Sequence, residues 1–230
     1  MKSLIFRKSS RRSAVWTTIL VVTILALTSA QAFGQVTAGQ TFTEFKLNGL
    51  GSVLIPDSME LQAGAYKKLS DGASKELGYD VSGEVIFQQK GLNDFNFKQN
   101  KTYARVMFAT ERGSRGSYPK LTAKIRLTAR ELKALDDATK EGLIESIKGI
   151  GIKIVRWDGV SVVSVNGQSA IKTAYLRQLN DNPSVYVEMY TFNNNDRMHR
   201  LTISYRLEDA NIWKDALEKA KNSFKIIAVS

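Results

Sequence analysis

Between residues 152 and 206 the chain runs through consecutive apolar, β-branched stretches with only short turns between them, and this restricts its fold more than any other feature. Residues 152–156 and 160–165 are rich in Ile and Val, which suit a pleated strand. Asn166-Gly167 follows at once. That dipeptide accepts the two positive φ angles of a type I′ turn, so residues 170–179 are expected to return as the partner strand of a tight hairpin. Asn180-Asp181-Asn182-Pro183 ends that strand, and Val185, Val187 and Met189 then alternate with Tyr186, Glu188 and Tyr190 up to Phe192, as in a half-buried strand. After a turn at Asn193-Asn194-Asn195-Asp196, His199, Leu201, Ile203 and Tyr205 share one face of a further strand, opposite Arg200, Thr202, Ser204 and Arg206. Connections this short predict an antiparallel meander, because parallel neighbours need crossovers of about a dozen residues or more.

Helical spacing frames this meander. Ile212, Trp213, Ala216, Leu217, Ala220 and Phe224 recur on one side of a C-terminal helix, with Glu208 and Asp209 near its start and Lys219 and Lys221 near its end, charges that suit the helix dipole. Thr128-Ala129-Arg130-Glu131 reads as a capping box opening a second helix. Leu132, Leu135, Leu143 and Ile147 form its apolar side, with a break expected near Asp136-Asp137 and a stop at Gly149. Further upstream, residues 42–47, 53–55, 85–89 and 103–109 read as strands. The segment 58–78 is ambiguous: Tyr66, Leu69, Ala73 and Leu77 have helical spacing, yet Asp71-Gly72 interrupts them. The fold class expected is α+β, an antiparallel sheet with helices packed on it.

The N-terminus has another character. Lys2, Arg7, Lys8, Arg11 and Arg12 precede an uncharged run from Ala14 to Ala30, and Ala30-Gln31-Ala32 has the small-x-small form of a processing site. Residues 1–32 are therefore expected to be a signal peptide and residues 33–230 a single α+β domain, with an uncleaved leader as the only route to a membrane. The expected location is periplasmic or secreted. The sequence has no Cys, which removes thiol nucleophiles, thiolate metal sites and disulfide exchange. Without the leader the formal charge falls from +11 to +6, and that excess lies within residues 112–130, where Arg112, Arg115, Lys120, Lys124, Arg126 and Arg130 face no acidic residue. Gly113, Gly116 and Pro119 punctuate the start of this stretch as a loop, and Tyr118 lies among its cations. One aromatic residue is too few for a single-strand nucleic-acid platform, so nucleic acid is set aside as a partner.

From Ile152 onward the order of features resembles the exported PsbP-like proteins and the Mog proteins. The features concerned are Ile55-Pro56, Asn166-Gly167 with Ala170 and Tyr175, Tyr190-x-Phe192, His199-x-Leu201-Thr202-x-Ser204-Tyr205, Trp213 and Ser223-Phe224-Lys225. The resemblance implies an α/β/α sandwich around an antiparallel sheet, used in that group mainly for docking to other proteins. No functional residue is carried over from it.

His199 is the sole histidine, flanked by Arg197 and Arg200, and reads as a strand-end residue satisfied by a hydrogen bond. Ser117-Tyr118-Pro119-Lys120, Ser70-Asp71-Gly72 and Lys172-Thr173-Ala174 match or approach the three signatures of penicillin-recognising serine enzymes, but in the wrong order and context. Gly49-Leu50-Gly51 and Gly149-Ile150-Gly151 read as turns, and the asparagine run at 193–196 as a hairpin turn in place of a calcium loop. Asp136, Asp137, Glu141 and Glu145 read as a solvated helix face. Asn100-Lys101-Thr102 is a glycosylation sequon if the host is eukaryotic.

The sequence thus predicts an exported, non-enzymatic binding protein of the cell envelope that docks to a protein or an anionic surface, with no cofactor, no metal and no catalytic residue. The candidate contact residues are Arg112, Arg115, Tyr118, Lys120, Lys124 and Arg126, together with Tyr186, Tyr190 and Phe192 on an aromatic strand face that needs cover from a helix or a partner. The alternatives are a hydrolase of envelope polymers using Ser117 or His199, and a carrier holding a small apolar ligand between sheet and helix.

Overall fold

The computed structural model describes residues 40–76, 83–95, 102–121 and 127–228. The leader, Leu77, Lys124, Arg126 and the first two residues of the Asn100 sequon lie outside the described residues. The strands are β1 (Phe42–Leu47), β2 (Gly51–Pro56), β3 (Met59–Leu61), β4 (Val85–Gln89), β5 (Ala104–Arg112), β6 (Ile152–Val165), β7 (Gln168–Leu179), β8 (Val185–Asn194), β9 (Arg197–Arg206) and β10 (Lys225–Ile226). The helices are α1 (Gly64–Glu76), α2 (Ala129–Ser146) and α3 (Ala210–Ser223), the last led in by a 3-10 turn at Leu207–Asp209.

Seven strands pair in the order β3-β4-β5-β9-β8-β7-β6, every pair antiparallel, and the meander expected from residue 152 onward forms one half of this sheet. Asn166 (φ 47°) and Gly167 (φ 75°) both take the left-handed conformation, as a type I′ turn requires. The two stretches expected at 152–156 and 160–165 are one strand. Its register shifts at Ile154/Arg156 and at Trp157/Gly159, so the apparent break is a pair of bulges.

One face of the sheet carries the main apolar core: Val106 and Phe108 from β5, Tyr190 and Phe192 from β8, and Leu201 and Ile203 from β9. Trp213 and Leu217 of α3 cover it, and Phe224, 1% exposed, seats its ring 5.2 Å from Phe108 and 5.5 Å from Phe192. The small sheet β1-β2-β10 closes the same face. Gly51 makes this closure possible, because a Cβ there would lie 1.7 Å from the Lys225 carbonyl oxygen.

The opposite face carries α2, whose Leu143 and Ile147 pack on Tyr175, Val187 and Met189. Thr128 and Glu131 form the reciprocal capping box, with Glu131 N donating to Thr128 Oγ1 (3.2 Å) and Thr128 N donating to Glu131 Oε2 (2.8 Å). The helix does not break at Asp136-Asp137. Asp136 turns inward and its Oδ1 accepts from Trp157 Nε1 (2.9 Å) and Val160 N (2.7 Å), which pins the second bulge of β6 to the helix. Of the acidic face read as solvated, Asp136 is thus a structural acceptor, while Asp137 pairs with Lys133 at 2.9 Å.

Helix α1 settles the ambiguous segment, though its inner side is not the one its apolar spacing suggests. Ser70 and Ser74 are buried and Tyr66 half-buried, three positions four apart, whereas Leu69 is 53% exposed. The chain is therefore α+β, an antiparallel sheet with helices on both faces.

Candidate functional site

The basic loop begins where β5 ends, at Arg112 opposite Arg197 of β9. Gly113 N donates to Asp196 O (2.7 Å), Tyr118 and Asn195 exchange backbone hydrogen bonds (2.9 and 2.8 Å), and Gly116 N donates to Asn195 Oδ1 (2.9 Å). Asn193 Nδ2 reaches Pro119 O at 3.1 Å. The asparagine run is thus a hairpin turn between β8 and β9, as expected, and its backbone and amides also strap the loop in place. Asn195 supplies the left-handed position (φ 66°).

On this strapped loop Arg112, Arg115 and Lys120 are exposed, and neither Arg112 nor Arg115 joins a salt bridge among the described residues. Tyr118 behaves differently. Its ring lies against Gly113, where a Cβ would meet it at 2.9 Å, and its hydroxyl donates to Glu111 Oε1 at 2.6 Å. Burial, followed by that bond to a carboxylate, pushes its pKa up to about 12. Tyr118 therefore braces the loop and offers no open stacking platform.

The aromatic strand face is covered by the protein's own helix. Tyr190 and Phe192 are each 2% exposed beneath α3, so burial removes both from any docking surface, and only Tyr186 is half-exposed. Glu188, buried among them, accepts from Tyr190 (2.7 Å) and pairs with Lys172 Nζ (2.9 Å). Burial and the Glu188 charge raise both Tyr186 and Tyr190 above the ordinary tyrosine range. Lys172, read in the sequence as part of an imperfect enzyme signature, is the partner of a buried carboxylate.

His199 is fully buried. Asn194 Nδ2 lies 3.1 Å from Nε2 and Thr110 Oγ1 lies 2.9 Å from Nδ1. With Asn194 donating, the orientation that also lets its amide donate to Ile227 O, Nε2 is the acceptor and Nδ1 carries the proton toward Thr110. Burial, reinforced by Arg197 and Arg112, lowers its pKa to about 4. Both ring nitrogens are engaged by Thr110 and Asn194, and Ser117 is not among the hydrogen-bond partners of His199. Ser117 is exposed on the loop.

A second constellation escaped the sequence reading. On the face of β4, β5 and β9 that α1 approaches, Gln88, Arg105, Thr202 and Ser204 are buried and Arg200 partly exposed, with the apolar Ile86 and Met107 in the row between Arg105 and Arg200. Arg105, 3% exposed, donates from Nη2 to Tyr66 Oη across a long 3.4 Å, and its Nε has no partner. Glu84, just before β4, is 9% exposed with Oε2 unpartnered. Burial raises its pKa to about 7 against the pull of Arg200, Lys67 and Arg105. Leaving such groups unsatisfied costs about 1–3 kcal/mol each. The readable signal was Arg105 itself, an arginine at an alternating position within Ala104-Arg105-Val106-Met107-Phe108. A cleft at this place would not suit an apolar ligand.

No protein-family model matches the chain, and no curated protein matches it. Among solved structures it is similar to the cyanobacterial PsbP (CyanoP) of Synechocystis sp. PCC 6803, at 12% identity over 86% of this chain and 98% of that one, with a TM-score of 0.48. It is also similar to a protein from Bacteroides thetaiotaomicron VPI-5482 (7% identity, 82% of this chain and 48% of that one, TM-score 0.43). A third is PA94, a protein of unknown function from Pseudomonas aeruginosa (14% identity, 82% of this chain and 99% of that one, TM-score 0.41).

Proposed function

We propose that this chain is an exported, non-catalytic docking protein of the cell envelope, which captures an anionic partner through Arg112, Arg115 and Lys120. The observation that carries this reading is the fixed presentation of those exposed cations on a loop strapped to the β8–β9 turn. A loop held in the free protein loses less conformational freedom on binding than a slack one, so its charges act with a smaller ordering cost. The basic leader followed by an uncharged run supports export, and no helix among the described residues is long and apolar enough to cross a membrane.

The partner is to be captured by crosslinking in the cells that make the protein, and its affinity then measured against the triple variant Arg112→Gln, Arg115→Gln, Lys120→Gln. Exposed charge pairs contribute about 0.5 kcal/mol each, so the triple change is expected to weaken binding about tenfold and to flatten its salt dependence. Unchanged affinity and salt dependence would sink the loop assignment. Turnover of peptidoglycan, polysaccharide or ester substrates by the purified protein would sink the non-catalytic reading, and N-terminal sequencing decides leader removal.

A further inference from the structure

We propose that the polar layer between α1 and the large sheet is a binding site for a small oxyanion, a carboxylate or phosphate group, held by the guanidinium groups of Arg105 and Arg200 with Glu84 beside them. Arg105 and Arg200 project from the same face of the neighbouring strands β5 and β9, four residues apart in register, with the row of Ile86, Met107 and Thr202 between them, a span that two arginine side chains can bridge. The register pairs Val85 with Phe108 and Ala109 with Arg200, so Glu84 and Arg200 stand on either side of Ala109, whose methyl group fills little of the space between them. The two are electrostatically coupled, yet no salt bridge joins Glu84 to either arginine within 4.0 Å among the described residues.

The groups around this gap are left wanting partners. Arg105 Nε and Glu84 Oε2 are buried without a hydrogen bond, and the Arg200 side chain has neither a salt bridge nor a hydrogen bond among the described residues. Native proteins seldom leave buried polar groups in that condition, and clusters of them mark places where another species completes the bonding. The balance of charge says which species. Lys67 and Asp71 of α1 neutralise each other at 2.8 Å, and the Glu111 carboxylate of β5 acts on Arg200, so two guanidinium groups face one carboxylate when Glu84 is protonated. An oxyanion accepts from both arginines, and it accepts a third hydrogen bond from Glu84 when that group is protonated. Arg200 and Ala109 are partly exposed, so the layer opens to solvent at that end of β5 and β9.

Glu84 makes the site sensitive to pH. The titratable groups around it are Tyr66, Lys67 and Asp71 from α1, Arg105 from β5, and Arg200 from β9, with Tyr175 of β7 and Glu111 of β5 facing Arg200. Loss of the Glu84 proton near pH 7 removes a donor and adds a negative charge, so binding weakens as pH rises through that value.

The test is calorimetric titration of the purified protein with inorganic phosphate, acetate and succinate, each against chloride at matched ionic strength, at pH 6 and at pH 8. Saturable binding of phosphate or of a carboxylate at pH 6 is expected, and acetate, whose own charge is constant over this range, binds more weakly at pH 8, with that pH difference abolished in Glu84→Gln. Arg200→Gln, at a half-exposed position that leaves the core intact, is expected to raise Kd at least tenfold, while the loop triple variant binds as the wild type does. The proposal is overturned by heats no greater than those of chloride, by an unchanged Kd in Arg200→Gln, or by loss of binding in the loop variant.

Discussion

Two buried groups titrate in opposition, and their contest fixes how stability depends on pH. His199 falls from 6.5 in the unfolded chain to about 4 in the fold. The unfolded chain therefore takes up its proton more readily, and the stability that His199 contributes is complete above pH 6.5 and is lost as pH falls toward 4. Glu84 goes the other way, from 4.5 to about 7, and the folded state holds its proton more tightly. Its contribution is complete below pH 4.5 and is lost as pH rises through 7. At 1.36 kcal/mol per pKa unit each shift amounts to about 3 kcal/mol, and the windows overlap between pH 4.5 and 6.5, where the slopes cancel. Urea unfolding at half-unit steps from pH 4 to 8 reads this directly as the difference between variant and wild type. Glu84→Gln is expected to gain about 3 kcal/mol on the wild type between pH 4.5 and 7, and His199→Gln to gain a similar amount as pH falls from 6.5 to 4. A flat Glu84→Gln difference curve would refute the reasoning, because the carboxyl group would then have the same proton affinity folded and unfolded.

Three further changes probe the frame. Asp136→Ala should cost about 2–4 kcal/mol by orphaning Trp157 Nε1 and Val160 N, with Asp136→Asn recovering most of it, as read by denaturation followed through tryptophan fluorescence. Thr128→Ala removes the capping box and should cost about 1 kcal/mol, measured by thermal unfolding. Gly51→Ala drives a methyl group into the Lys225 carbonyl and should cost about 1–3 kcal/mol, with faster amide exchange at Ile227, whose N–H bonds Leu50 O.

Where local chemistry and tertiary packing agree, the sequence is readable. Asn166-Gly167 marks its turn because few other dipeptides accept both conformations, and Thr128 with Glu131 marks a helix start because the bonds are internal to one turn. Bounds for residues 42–47 and 85–89 coincide with β1 and β4 for the same reason. Reading fails where a partner distant in the chain decides. Nothing near Trp157 announces a bulge held by Asp136, and the apolar spacing of Leu69 and Ala73 points away from the side of α1 that is buried. The alternation in β9 is real, yet Thr202 and Ser204 are covered because the sheet is roofed on both sides, something a single strand cannot reveal. The basic loop was legible from charge alone. Its bracing by Tyr118 and the asparagine turn was not, and the Arg105–Arg200–Glu84 layer needed strands from both halves of the chain to be brought together.

The pairing of β10 with β2 has a consequence for the order of assembly. Lys225 lies beside Ser52, Asn166 Nδ2 donates to Phe224 O, and Asn194 Nδ2 donates to Ile227 O, so one short C-terminal stretch ties together an early hairpin and the tips of two late ones. Contacts so remote along the chain cannot form until the segment 224–227 has been made, long after residues 51 and 52. Until residues 224–227 are in place, the early hairpin and the tips of the two late ones lack the tie that holds them together.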